Sequence, residues 1–336
     1  LLILLIILSL IYAFLNGYRD SSSILAGVIA SRAMNPRLAL YLGAAADLIA
    51  PFFFGSAVAQ SITTDLIKTS AVTLDTIVIA MVAALVWTFF SWWQGIPSSS
   101  THALVGGLLG ATLITSGSQA ILTGGLALVI LPLIIAPIIG FLIGYLFNAL
   151  LIYFLRNAHP KVNISLRRYQ IITMLLLAMS NSANDAQKSM GMITIGLVLA
   201  GKLSSFDIPF WVVGLCALSL ALGASRGDWR QIRNLGGKIY KIRPVNALSS
   251  QLASSGIILL ASVFGMPVST PHVISTALLG AGASERVNKV RWQIASQMAI
   301  TWLVTIPAAM AVAALLFLLL NAVQGLWGNL HVLALR

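Results

Sequence analysis

Long uncharged apolar runs limit this chain more than any other feature. Val72–Phe90, Ala120–Ile139, Phe210–Leu222 and Ala299–Leu320 carry no charge beyond Asp75, near the start of the first. Several reach the roughly 18 residues that read as a membrane-spanning helix. In hydrocarbon each backbone N–H and C=O must be satisfied internally, so only helices or closed barrels cross a bilayer. Period-two alternation is absent, and helices are expected. With 59% hydrophobic and 8% charged residues in 336, about ten to twelve segments of roughly 20 residues would use most of the chain. No separate soluble domain fits. The expected fold class is an all-α polytopic protein, multi-pass in the cell membrane, with the lipid bilayer as its surroundings.

The opening "LLILLIILSLIYAFLNG" has no basic region before it and no small-residue cleavage site after it. It is expected to be a first membrane helix, with a break as one option, rather than a signal peptide. Cys216 lies inside an apolar run, is the only cysteine, and is expected to serve packing.

The formal charge of +12 suggests nucleic acid until the positions are considered. Arg226, Arg230, Arg233, Lys238, Lys241 and Arg243 share one loop with Asp228; Arg156, Lys161, Arg167 and Arg168 fill a second; Arg286, Lys289 and Arg291 a third. Basic loops between apolar spans mark the cytoplasmic side. No nucleic-acid partner is implied. The spans around 169–200 and 208–225 return the chain to the same side, which keeps the assignment consistent.

Two pairs of strings recur in order. "NGYRDSSS" (Asn16–Ser23) parallels "NSANDAQK" (Asn181–Lys188), matching Asn16 with Asn181 and Asp20 with Asp185. "GIPSSSTH" (Gly95–His102) parallels "GMPVSTPH" (Gly265–His272), matching Gly95/Gly265, Pro97/Pro267, Ser99/Ser269 and His102/His272. In each half the turn follows the polar segment by about 80 residues. Internal repeats of this kind define many transporter folds. The division implied is a first repeat over 1–155, a basic loop over 156–168, and a second repeat over 169–336 that contains the basic loop 226–243.

An Asp in hydrocarbon is costly unless paired, hydrated or bound to a cation, and so marks an ion or substrate path. Asp20 and Asp185 are the only acids in the two polar segments. Oxygens of Asn16, Ser21, Ser22, Ser23, Asn181, Asn184 and Gln187 could complete a site for a hard cation such as sodium. No transition metal and no cofactor is called for. In each Gly-x-Pro-x-Ser element the Pro cannot continue a helix, while Ser and Thr favour a helix N-cap. Free N–H groups and the positive end of a helix dipole then make an anion site. Cation ligands beside anion-binding helix ends suggest a cation-coupled anion transporter.

"NSANDAQKSMGMI", "GIPSSSTHALVGGLLG" and "GMPVSTPHVISTALLGAG" resemble the signatures of the PiT family of inorganic phosphate transporters, or phosphate permeases. "WVVGLCALSLALGASRGDWRQIRNLGGKI" is similar to that family's loop before its second turn. The resemblance runs from about Asn16 to Gly282. It implies an inverted-repeat fold with two broken or re-entrant hairpin elements, and import of inorganic phosphate in symport with sodium ion or protons. By the same resemblance Asp20, Asn184 and Asp185 serve the coupling cation, and Gln187, Ser98, Ser99, Ser100, Thr101, Ser269 and Thr270 surround phosphate. The side-chain chemistry of this sequence adds Asn16, Ser23 and Asn181 to the cation side and Arg19 to the phosphate side. A homo-oligomer is compatible with this picture.

The chain departs from the family at Arg19, where His is common; at Ser23, where Asn is expected; at Pro271, where Thr or Ser is usual; and at Gln251, where Glu often sits. These changes remove cation ligands and add a fixed charge. Arg19 either snorkels to an interface or supplies a built-in positive charge in place of a coupling cation. His102 and His272 either orient their turns by hydrogen bonding or carry protons. Asp47, Asp65 and Asp75 are expected to be solvated or to cap helices. Trp87, Trp92 and Trp93 are expected at the membrane interface, and "VGGLLGA" and "LLGAGA" at close helix crossings. Alternatives to phosphate symport are a permease for sulfate or another tetrahedral oxyanion, an oxyanion sensor or channel, and a membrane enzyme using Ser and His of "SSSTH". The repeat of the motif favours transport.

Overall fold

Apolar length and the few helix-stopping residues together dictate the elements. A computed structural model describes residues 1–96, 98–229 and 242–334, with backbone alone at 294 and beyond 323. It contains eleven described α-helices and, among the described residues, no strand apart from an isolated bridge between Ile67 and Ile121. They are α1 (Leu2–Ala30), α2 (Pro36–Ile49), α3 (Ala57–Ile62), α4 (Leu74–Trp93), α5 (Ser100–Ser116), α6 (Thr123–Leu155), α7 (Val162–Leu199), α8 (Phe210–Arg226), α9 (Pro244–Val263), α10 (Thr270–Glu285) and α11 (Trp292–Ala334).

The helices match the expected number of segments but not the expected uniform length. Five are long and apolar enough to cross a membrane: α1, α4, α6, α9 and the Ala295–Val323 part of α11. Helix α7, at 38 residues, carries the polar string Asn181–Lys188 in its middle. The Ala120–Leu155 stretch is one helix that keeps Pro132 and Pro137 inside it. The option of a break in the first helix is also resolved: α1 is continuous through Asn16–Ser23. Arg167 and Arg168 ride on the exposed start of α7 rather than in a loop, so the connection before α7 is shorter than the expected 156–168. Arg230, Arg233, Lys238 and Lys241 lie outside the described residues, as does Pro97.

Local chemistry sets the helix ends. Asn35 caps α2 by accepting from the Arg37 N–H, with Pro36 at the first helical position. Thr73 and Thr76 form a capping box at α4, and exposed Asp75 sits in that helix's first turn, where an acid complements the dipole.

Helices α1 and α7 meet at the centre, and α1 also packs on α2, α4 and α8. Helices α4 and α5 form a hairpin that leans on α11; α9 and α10 form a second hairpin that leans on α6. Each hairpin therefore rests on the last helix of the opposite half of the chain. Small residues permit the approach, as expected of "VGGLLGA": a Cβ on Gly107 would lie 2.5 Å from the Ala80 carbonyl oxygen of α4.

Trp93, 68% exposed, ends α4 as an interface anchor would, and Trp92 donates its indole N–H to Asp228 Oδ2 at 3.0 Å. Trp87 differs from the expectation, because it packs against the buried cluster around Ala80 and Leu104. Cys216 is buried in an apolar cluster with Met190 and Leu220, as expected of a packing residue.

Gly107→Ala should force α4 and α5 apart and cost about 1–3 kcal/mol, the usual range for overpacking. Gly124→Ala, where nothing lies within 4 Å of the added carbon, should leave the melting temperature in detergent unchanged or slightly raised. Equal melting temperatures for the two variants would show that the α4–α5 crossing is not as tight as described.

Candidate functional site

Each hairpin turn begins with a glycine in the left-handed region, Gly95 at φ +70° and Gly265 at φ +69°. The bonding around them is the same. The Gly95 and Gly265 N–H groups return to Trp92 and Ser262 carbonyls, and those of Ile96 and Met266 reach back to Ser91 and Ala261 at 2.8 and 2.7 Å. This is the Schellman closure of a helix C-terminus, which favours glycine because a side chain at positive φ is strained. The chain then runs extended through Ser99 and Ser269, the N-cap positions of α5 and α10. Pro271 occupies the second position of α10, where no intrahelical bond is lost.

The polar strings of α1 and α7 are buried along their lengths, apart from half-exposed Tyr18. Asn16 and Asp20 stand four residues apart on one face of α1, and Asn181 and Asp185 do the same on α7. The Asp20 carboxyl lies beside that of Asp185. Both atoms of each Asn amide, Oδ1 and Nδ2, are buried and find no protein partner. Ser23 Oγ and Asp185 Oδ2 share that condition. Buried amides normally hydrogen-bond, so four orphaned amide atoms beside two carboxyls indicate groups reserved for a ligand.

Lys188 supplies the fixed charge of this centre. It is fully buried and ion-paired with Asp185, and its ammonium donates to Thr101 Oγ1 at 2.7 Å and to the Val268 carbonyl at 3.0 Å. Thr101 Oγ1 in turn donates to Val268 O at 3.2 Å. One side chain of α7 thus holds the tips of both hairpins.

Several expected ligands are committed elsewhere. Asn184 donates to Ser262 Oγ and to Met266 O, and accepts from the Val268 N–H at 3.2 Å, so it clamps the second turn. Gln187 donates to Ala183 O and accepts from the Val58 N–H at 2.9 Å. Ser98 bonds to Ser91, Ser99 caps α5 by accepting from the His102 N–H at 3.2 Å, and Ser100 lies near the Tyr12 hydroxyl. In the second turn Ser269 Oγ and Thr270 Oγ1 are buried without a partner. The two turns have one backbone design and opposite hydroxyl availability.

Arg19 does not snorkel. It keeps 7% exposure and donates from Nη2 to the Ser98 carbonyl at 2.8 Å. The histidines do not orient their turns through ring hydrogen bonds: Nδ1 of His102 and both ring nitrogens of His272 have no protein partner. The rings instead face each other with centroids 5.0 Å apart, and His272 stacks on Trp302 at 3.9 Å. Asp65 and Asp75 are exposed as expected, but Asp47 is 1% exposed, has an unpartnered Oδ1, and lies on α2 against α7. Its own carbonyl accepts from Ser182. Gln251 accepts from Thr173 at 2.7 Å, and its Nε2 is unpartnered.

Tyr12 and Lys188 were not among the expected ligands. Tyr12 is fully buried, with its hydroxyl beside Asn16 and Ser100. The spacing Tyr12–Asn16–Asp20 was available as a signal, since steps of four keep one helix face. For Lys188 the available signal is the i, i+3 step from Asp185, which puts an ammonium beside the carboxylate on one helix face.

A buried polar centre between two half-matching helices, enclosed by two hairpin tips, is the architecture of a multi-pass membrane transporter. Comparisons with known proteins give the family. The chain matches the Phosphate transporter family over residues 16–166 and 155–313. It is 38% identical, over 96% of its length and 97% of the relative's, to a Bacillus subtilis protein named "Probable low-affinity inorganic phosphate transporter". A Rhizobium meliloti protein of the same name is 36% identical over 94% of this chain and 96% of its own. A solved structure, "The sodium-dependent phosphate transporter", aligns with a TM-score of 0.85 at 22% identity, covering 96% of this chain and 99% of that one. The chain belongs to the phosphate transporter family and is a transporter, not an enzyme.

Breaking a buried ion pair by removing one partner costs about 3–5 kcal/mol, because the other charge is stranded. Lys188→Met should therefore lower yield and melting temperature sharply, and Lys188→Met with Asp185→Leu should recover most of the loss. A single variant as stable as wild type would show that Lys188 does not hold the hairpin tips.

Proposed function

We propose that the protein imports inorganic phosphate by cation-coupled symport, with the coupling ion held between Asp20 and Asp185. The observation that carries this reading is the juxtaposition of those carboxyls with the unpartnered amides of Asn16 and Asn181. Two adjacent carboxylates repel, and a cation or a proton between them relieves the repulsion. Sodium fits an oxygen-rich donor set, and a proton fits the acid pair equally well. The names of the Bacillus and Rhizobium relatives support phosphate as the cargo. On the anion side, Ser269 and Thr270 offer free hydroxyls at the N-terminus of α10, where the helix dipole favours negative charge. Lys188 and Arg19 add positive charge close by.

The two halves are best understood as inverted repeats. Supporting this are the equal φ angles of Gly95 and Gly265, the matched amides of Asn16 and Asn181, and hairpins that each lean on the opposite half's last helix. Repeats of this kind move by rocking around a fixed central site. Basic residues at the start of α7 and the end of α8 support a cytoplasmic position for those ends.

Arg19 acts as a built-in cation. Its buried guanidinium carries a permanent charge where the family resemblance implies a His, and Ser23 lacks the amide expected there. Transport then needs fewer co-transported cations than in members with His and Asn.

Uptake of labelled phosphate into proteoliposomes, under imposed sodium or proton gradients and with sulfate as competitor, tests the whole reading. Asp20→Asn should abolish coupled uptake while folded protein remains in the membrane, whereas Asp185→Asn should abolish it and also lower yield, because it strands the buried Lys188 ammonium; full coupled uptake with Asp20→Asn would overturn the proposal. Ser269→Ala should weaken apparent phosphate affinity roughly tenfold or more, since a hydrogen bond to a charged group contributes about 1.5–3 kcal/mol. Ser99→Ala should act mainly on stability, by about 1 kcal/mol for a lost N-cap. Arg19→His with Ser23→Asn should steepen the Hill slope of uptake against the coupling cation. An unchanged slope with intact uptake would reject cation replacement alone.

A further inference from the structure

A pocket of about 490 Å³ opens between α1, α4 and α8. Its walls include Phe89, Trp92 and Leu222, of which Phe89 is 59% and Leu222 53% exposed. In a membrane protein such side chains face lipid. Polar groups line the same space. Arg19 is more than nine-tenths buried, yet its Nη1 has no protein partner, and Thr88 Oγ1, on a residue 1% exposed, has none either. Arg226, at the end of α8, adds a second guanidinium to the lining.

Charge decides what this pocket takes. Arg19 forms no ion pair among the described residues; Asp20 is its chain neighbour and faces Asp185. Asp228, the other acid near Arg19, accepts the Trp92 indole N–H. A lipid-facing pocket with a permanently charged, half-satisfied guanidinium calls for an anion with an apolar tail. A hydrated inorganic ion would gain nothing from the aromatic wall.

We propose that this pocket binds an anionic phospholipid. Its phosphate oxygens accept from Arg19 Nη1 and Thr88 Oγ1, Arg226 attracts the headgroup's net charge, and an acyl chain lies along Phe89, Trp92 and Leu222. Because Arg19 Nη2 holds the Ser98 carbonyl, an occupied pocket also braces the first hairpin tip. This site shares Arg19 with the proposed cargo centre, but its test reads lipid contact and does not depend on transport.

Trp92 provides the readout. The full chain is reconstituted with brominated phosphatidylglycerol or brominated phosphatidylcholine in an unbrominated neutral bilayer. The quenching lost in Trp92→Phe isolates lipid at the pocket. In wild type the anionic lipid should quench Trp92 at about a fivefold lower mole fraction than the neutral one, as expected for one basic residue near an anionic headgroup. Arg19→Gln should abolish that preference. Arg226→Gln, on an exposed residue, should reduce it and keeps the test open if Arg19→Gln misfolds. Equal quenching by both lipids in wild type, or a preference unchanged in the arginine variants, overturns the proposal. Millimolar inorganic phosphate should leave the quenching untouched; displacement of the lipid by phosphate would reassign the pocket to the free ion and overturn the lipid reading.

Discussion

One buried ammonium organises this protein. Lys188 is fully enclosed, and removing a charge from water is tolerable only if every donor is used. Its partners come from three places: Asp185 one turn back on α7, Thr101 at the head of α5, and the Val268 carbonyl before α10. The two hairpins lie far apart in sequence, and among the described residues no other charged side chain bonds to both of them. The bonds give the tips a fixed relation to α7, and Asn184 reinforces it by holding Met266 and Val268. With Asp185 paired to Lys188, Asp20 is left without an ion pair among the described residues.

Lipid removes most of the usual driving force for association, since helix surfaces are as apolar as their surroundings. Packing and polar contacts must do that job. Glycine at positions such as Gly107 brings backbones together, and small polar networks bind helices at the other end of the molecule. Asn148 of α6 donates to Ala281 O and Ser284 and accepts from Asn246 and Ser249. Beside it Glu285 bonds with Arg243 and Lys289. These groups are fully engaged, whereas Asn16, Asn181, Ser269 and Thr270 are not, and that contrast separates scaffold from site.

The helical class, the membrane location and the paired motifs were legible in the sequence because apolar run length and motif recurrence are local properties. Gly95 and Gly265 were legible for the same reason: a helix ended by glycine and followed by Pro and hydroxyls has few alternatives. What could not be read was which polar atom meets which. Asn184 and Gln187 look like ligands in a string, and only tertiary packing commits one to Met266 and the other to Val58. Asp47 looked like a solvated end residue because its buried state depends on α7 lying across it. Lys188 was hidden by its own pairing, since an i, i+3 step gives no warning that Thr101 and Val268 will arrive from both halves.

The halves share a backbone design but have divided their chemistry. In the first turn every hydroxyl from Ser98 to Thr101 has a neighbour, and the adjacent charge is the permanent guanidinium of Arg19, tied to Ser98. In the second turn Ser269 and Thr270 are open, and the adjacent charge is an ammonium tied to a carboxylate. Pro271 fits this division, because a proline at the second helical position leaves the N-terminus of α10 intact. The first turn is braced by its own bonds, whereas the second holds Ser269 and Thr270 buried with their hydroxyls unpartnered, so the same backbone frame carries a closed set of hydroxyls on one side and an unfilled set on the other.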